Sequence, residues 1–203
     1  MILAVLASDL QKEEIAVSAF FQKHEVVFSE NISLWANHAA DAFIDLGFEP
    51  SPERIDKLAK LLPKPVLLNS VTVTIEQLHP QFIRFNGWAG FLKGNYMEAA
   101  ANGEIQKKAE QLFGEELVFV KDEPGFVSAR IVAMIINEAY FTWEAGTSSK
   151  EEIDIAMKLG TGYPFGPFEW AQLIGIERVI ELFQRLKEGN PLYQLAQSLT
   201  LKA

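Results

Sequence analysis

The 203-residue chain contains no cysteine, which excludes disulfides, thiolate nucleophiles and zinc–sulfur centres. Histidine is nearly absent too, and His24, His38 and His79 are the only candidates for an imidazole base. Basic residues are the minority, 18 against 27 acidic ones, and the net charge of -9 opposes general affinity for nucleic acid or an anionic membrane. Long apolar runs are missing as well. The opening "MILAVLASDL" has no basic lead and too short an apolar run for a signal peptide, and "IVAMII" (131–136) is far too short to span a bilayer. These absences lead us to expect a soluble, cytoplasmic protein with neither nucleic acid nor membrane as partner.

What is present is an ordinary globular composition, with 49% hydrophobic and 22% charged residues, enough to build a core in one generous domain or two small ones. "ILAVLA" (2–7), "EVVF" (25–28), "AFIDL" (42–46) and "PVLLNS" (65–70) are apolar runs of strand length. The helical spacing of Ile15, Ala19 and Phe20 predicts a helix over 13–22, and "SPERIDKLAKLL" (51–62) predicts one capped by Ser51 with Pro52 in its first turn. Apolar strands separated by helices predict a parallel sheet with helices packed on it.

The pattern changes at "KDEPGF" (121–126), where Pro124 biases Glu123 away from helix. Beyond it the strand signal disappears. A long apolar helix is expected over 126–146, a second over 147–160 capped by Ser148 with Glu151 and closed by Gly160, and others from Pro167 and over 176–189. The expected organisation is an α/β domain over 1–120 and an all-helical domain over 121–203. "KLGTGYPFGPFEW" (158–170) stands out within the second: Gly162, Pro164, Gly166 and Pro167 impose turns on a segment that also carries Tyr163, Phe165, Phe168 and Trp170. An aromatic helix connector and part of an apolar binding pocket would use the same residues.

"KDEPGFVSARI", "NEAYFTWEAGTSSKEEIDIAMKLGTGYPFGPFEW" and "LIGIERV" resemble, in order and spacing, the helical domain of the 3-hydroxyacyl-CoA dehydrogenase family. The resemblance implies a Rossmann-like domain, here shortened, followed by that helical domain. It implies a homodimer formed through the helical domain and an acyl-CoA cleft that includes Tyr163 and Phe165. It also implies NAD as cofactor wherever the family's activity persists.

The front half departs from the family pattern. The family's Gly-x-Gly-x-x-Gly turn lets the backbone approach a pyrophosphate, but Ala7, Ser8, Asp9, Leu10, Gln11 and Lys12 stand there, and the first glycine of the chain is Gly47. Glu30, after the second strand, is the one candidate for an adenine-ribose contact. Too few residues separate "EVVF" from "AFIDL" for the usual helix–strand–helix excursion. The family's His-Phe-Phe-Asn-Pro run resembles "IRFNGW", which places Asn86 at the asparagine and Ile83 at the histidine; isoleucine cannot accept a proton. The family's glutamate falls on Asn95 without gaps or on Glu98 with a short insertion. "LLNSVT" keeps Asn69 and offers Ser70 or Thr72 as the substrate-side hydroxyl, and Ala129 replaces the family's asparagine.

Three readings follow. The chain keeps acyl-CoA or acyl-chain binding without normal NAD-dependent activity. Alternatively it is an active dehydrogenase with a divergent site built on Asn86 and Glu98. Or it is a structural dimer or accessory subunit whose cleft its own side chains fill.

Overall fold

A computed structural model describes residues 1–37 and 39–201. Two compact units divide the chain, one of Met1–Phe126 and the other from Val127 on.

The first unit is a seven-stranded sheet. In chain order its strands are β1 (Ile2–Leu6), β2 (Glu25–Phe28), β3 (Ala42–Asp45), β4 (Val66–Asn69), β5 (Ile83–Phe85), β6 (Met97–Ala100) and β7 (Leu117–Phe119). Spatially they run β2-β1-β3-β4-β5-β6-β7, parallel except for the antiparallel β5–β6 pair. Helices α1 (Asp9–Ile15), α2 (Pro52–Ala59) and α3 (Gly103–Phe113) flank it. Alternation along the strands sorts side chains to two faces. Leu3, Val5, Ile44, Leu67, Ile83 and Phe85 share a core with Ile15 of α1 and with Ala109 and Phe113 of α3. Ala4, Phe43 and Leu68 share the opposite core with Leu58 of α2 and with Trp35. Because β2 and β3 lie on opposite sides of β1, the winding reverses there, and the carboxyl ends of β1 and β3 form the crevice where such sheets bind ligands.

Helix α1 begins earlier and ends earlier than the expected 13–22. Ser8 caps it through a capping box with Gln11. The 3₁₀-type bonds Val17 N to Glu14 O and Ser18 N to Ile15 O then close its last turn, so Phe20 reaches the core from a turn and Phe21 from the 3₁₀ segment Phe21–Lys23.

The second unit is helical: α4 (Ser128–Glu144), α5 (Lys150–Thr161), α6 (Pro167–Ile174), α7 (Ile176–Gly189) and α8 (Gln197–Thr200), with no strand among the described residues. Its caps differ from expectation by one and two residues. Ser149, with Glu152, caps α5 rather than Ser148 with Glu151, and the helix runs through Gly160 to Gly162, whose φ of 71° supplies the left-handed stop. Among the described residues no helix is long and apolar enough to cross a membrane.

Candidate functional site

The carboxyl end of the sheet is the place to look for a nucleotide, and polar side chains of the chain itself knit it together. Gln11, one turn into α1 and only 5% exposed, donates through Nε2 to the carbonyl of Gly87 at 3.2 Å and that of Leu46 at 3.4 Å. Its Oε1 accepts from the backbone N–H and the hydroxyl of Ser8, both at 3.0 Å. Asn69, at the end of β4, donates to Leu46 O at 3.0 Å and accepts from Gly87 N–H at 3.0 Å. A Cβ on Gly87 would lie 2.6 Å from a Leu46 methyl and 3.0 Å from Asn69 Cβ, so the loop after β5 is seated directly on the ends of β3 and β4. Deeper in, Glu14 Oε1 accepts from Gly90 N–H at 2.7 Å.

A dinucleotide does not fit these residues. A pyrophosphate needs free N–H groups at the start of α1 and a backbone it can approach closely. Here Ser8 N–H is bonded to Gln11 Oε1 and Gln11 N–H to Ser8 Oγ at 3.3 Å, while Asp9 stands exposed beside them with Lys12 as its ion pair. That Lys12 contact, a hydrogen bond and an opposite charge together, holds the Asp9 carboxyl below its usual range and thus ionised. At the end of β3, Asp45 is fully buried against Arg54, which donates to it through two nitrogens at 2.8 and 2.9 Å. Burial still pushes the Asp45 carboxyl up, against the pull of the guanidinium.

Of the residues picked from sequence, Asn86 and Glu98 are brought together: Asn86 N–H donates to Glu98 O at 2.9 Å where β5 meets β6. Asn86 is buried, and its Oδ1 accepts from Trp88 N–H at 3.3 Å. Ser70 turns its hydroxyl onto Val73 O at 2.8 Å, closing the turn after β4. Glu30 is exposed after β2, the edge strand, four places in the sheet from β5. Ile83 faces the sheet core at 1% exposure, paired with Leu67. His79 accepts from Gln81 N–H at 3.2 Å and packs on Phe82, a local turn contact. His24 is not the surface residue its neighbours suggest: its ring packs edge-on to Phe20 and Phe113, because the turn that buries Phe20 carries it inward. His38 lies outside the described residues. Among the described residues, no acidic or histidine cluster could hold a metal ion.

Tyr163 and Phe165 belong to the helical unit, where both rings lean on Trp170, at 5.4 and 6.0 Å between centroids. Gly166 sits where a Cβ would lie 2.3 Å from the Asp154 carboxyl, which accepts Phe168 N–H at 2.8 Å. Glu169 folds back onto Gly166 N–H at 2.8 Å and pairs with Lys158. Between α4 and α5 lies an apolar cavity of about 390 Å³, lined by Ile135, Ala139, Ile153, Ala156, Met157 and Pro167 among others. Sequence reasoning missed Gln11 as a closing group and Arg84 altogether; a charged residue inside the apolar strand "IRF" was the available signal.

Comparison with known proteins separates the two units. Residues 125–202 match the profile of the 3-hydroxyacyl-CoA dehydrogenase C-terminal domain. Over 89 residues, 42% of this chain and 28% of the relative, the sequence is 40% identical to hydroxyacyl-coenzyme A dehydrogenase, mitochondrial, of Homo sapiens. Over 69 residues, 34% of this chain and 25% of the relative, it is 46% identical to 3-hydroxybutyryl-CoA dehydrogenase of Clostridioides difficile. The aligned stretch thus spans less than a third of these curated relatives. The (S)-3-hydroxybutyryl-CoA dehydrogenase structure from Ralstonia eutropha matches with a TM-score of 0.69 over 98% of this chain and 92% of that one, at 18% identity, which shows a common fold.

Proposed function

We propose, on the premise that this chain belongs through its helical unit to the 3-hydroxyacyl-CoA dehydrogenase family, that it is a cytoplasmic homodimer that binds acyl-CoA or its acyl chain without NAD-dependent hydride transfer. The observation that carries this reading is the Gln11 side chain, bonded across the crevice to Leu46 O and Gly87 O where a dinucleotide would need open backbone. The burial of Ile83 supports it independently, since that position holds no base and faces no solvent. The helical unit offers the aliphatic cavity between α4 and α5, of a size that suits part of an acyl chain. Exposed Ile131 and Phe141 on α4, with Ile155 and Leu159 on α5, offer the apolar surface for a second copy.

The test is differential scanning fluorimetry with NADH, 3-hydroxybutyryl-CoA and a longer acyl-CoA. A ligand bound only by the native state raises the melting temperature, so acyl-CoA should raise it and NADH should not. An active dehydrogenase is the second reading, since β5 and β6 place Asn86 beside Glu98 through a backbone bond; a shift with NADH would favour it, and NADH formation from NAD and 3-hydroxybutyryl-CoA would establish it. No shift with any of the three would favour an accessory subunit.

A further inference from the structure

We propose that the α/β unit carries a second, separate binding site, for a small amphipathic anion: a phosphate monoester or carboxylate on an aromatic or aliphatic body. It lies on the sheet face of Phe43 and Leu68, beside α2 and the 3₁₀ segment Ile32–Asn37, whereas Gln11 and Asn69 sit at the strand ends.

The site exists because the β2–β3 crossover is short. Among the described residues, a single 3₁₀ segment is the only helical element between Phe28 and Ala42, and it leaves a cavity of about 410 Å³ against α2. That volume is within the range of small-molecule sites. Trp35 and Phe43, tilted at 32° with centroids 5.3 Å apart, give it an aromatic floor, and Ile32 and Leu61 extend the apolar wall.

Lys57, Lys60 and Lys64 line the same cavity. In a chain of net charge -9, three of its 18 cations converge on one apolar pocket, and no carboxylate lines it among the described residues. Lys57 has spent one donor on Glu53 at 2.7 Å, and Lys64 one on Ala40 O at 2.8 Å; an ammonium has three, so both keep donors for an anion. Lys60 at the C-cap of α2 also offsets the helix dipole. That accounts for one lysine but not for the pocket beneath all three. Trp35 is fully buried, so its ring fixes the wall of the cavity and its indole resonance reports on an occupant through packing rather than through a hydrogen bond.

The probe is 1-naphthyl phosphate, with 1-naphthoate, 1-naphthol and inorganic phosphate as companion arms. Binding is followed by calorimetry and by the indole N–H resonance of Trp35, assigned from its loss in Trp35→Phe. The expected result is saturable binding of the phosphate or the naphthoate that moves the Trp35 resonance, with naphthol and inorganic phosphate far weaker. The two anionic arms distinguish phosphate from carboxylate as the head group. Lys57→Glu/Lys60→Glu replaces exposed side chains and should fold normally, yet weaken binding roughly tenfold or more by reversing two charges at the rim. An unmoved Trp35 resonance, equal binding of naphthol, or undiminished affinity in the lysine variant would each overturn the site.

Discussion

Arg84 and Asp122 meet at 2.7 Å, an ion pair in which the arginine side chain is wholly buried and the aspartate one-third exposed. The same guanidinium donates to Ser70 O at 2.8 Å, Val71 O at 2.9 Å and Glu123 O at 3.2 Å, and lies 4.1 Å over the ring of Phe126. One side chain on β5 therefore ties the turn after β4 to the segment 122–126 that ends the α/β unit. Phe126 itself has a φ of 50°, a left-handed conformation that a phenylalanine adopts only when its surroundings hold it there.

Arg84→Met should accordingly be among the most damaging single changes in the first unit. It keeps an apolar stem but removes the donor to Ser70 O and the cation of Asp122, while Val71 O retains Gly125 N–H and Asp122 retains Ile75 N–H. A buried polar group left unpaired costs about 1–3 kcal/mol, and the part-exposed aspartate adds less than a fully buried charge would. Denaturant unfolding should register a loss of that order, and a loss under about 1 kcal/mol would show that the network holds little.

The glycines of "KLGTGYPFGPF" should separate by environment. Gly160 is in the last turn of α5 with open space at its Cβ position, so Gly160→Ala should stabilise by about 0.5–1 kcal/mol through the helix and the unfolded chain. Gly166→Ala drives a methyl into the Asp154 carboxyl and its Cβ, and should cost about 1–3 kcal/mol while breaking the bond to Phe168 N–H. Thermal melts of the two variants should move in opposite directions.

His24 should give the protein an acid-side weakness. Burial among the rings, with the nearby terminal amino group adding to it, holds its imidazole below the ordinary 6.5 despite the pull of Glu116. The unfolded chain therefore takes up the proton first. Stability is complete above about pH 6.5 and is lost as pH falls from there toward the lowered folded value. The melting temperature should decline across that window, and His24→Phe, which suits the Phe20–Phe113 cluster, should flatten the decline. An unchanged slope in the variant would remove His24 as its source.

Much of this architecture was legible because its signals are local. Ser51-Pro52 starts α2 and Gly189 ends α7 through contacts within a turn, and the loss of strand pattern after Gly125 marks the helical unit. What escaped depends on distant partners. The strands Met97–Ala100 and Leu117–Phe119 are short and exist by pairing with each other. Gln11 closes the crevice through carbonyls 35 and 76 residues away, and Arg84 pairs with an aspartate 38 residues on. A glutamine or an arginine carries no mark of such partners in its own neighbourhood. The missing glycines, by contrast, could be read directly, because a tight phosphate turn demands that residue type wherever it occurs.

The dimer proposal predicts sedimentation at twice the 22.7 kDa chain mass at micromolar concentration. Ile131→Glu and Leu159→Glu place charges on the exposed apolar positions of α4 and α5 without touching the buried core. Together they should shift the species to monomer with little change in melting temperature measured on the monomer. A wild-type chain that sediments as a monomer would end the proposal.

The remaining prediction concerns hydride chemistry, and two independent obstacles support it. The cofactor is opposed by the Ser8–Gln11 capping box and by the Gln11 bonds to Leu46 O and Gly87 O. The chemistry is opposed at Ile83, whose side chain packs in the core with Leu3, Ile44 and Leu67. Absence of a general base alone removes about 10²–10⁴-fold of rate. Ile83→His would set an imidazole among aliphatic groups without a partner, at a cost of about 2–4 kcal/mol, so it should lower the melting temperature and restore nothing. Gln11→Gly would open the crevice but leave no base. The double variant would still lack the glycine turn, because Ala7, Ser8 and Asp9 remain. NADH fluorescence should therefore show no tight binding by the wild type, and 3-hydroxybutyryl-CoA with NAD should yield no NADH above background in any of these variants. Tight NADH binding by the unmodified chain, or turnover after Ile83→His alone, would overturn this prediction; NADH production by the unmodified chain would make it a working dehydrogenase, and Asn86 with Glu98 would then be the residues to mutate next.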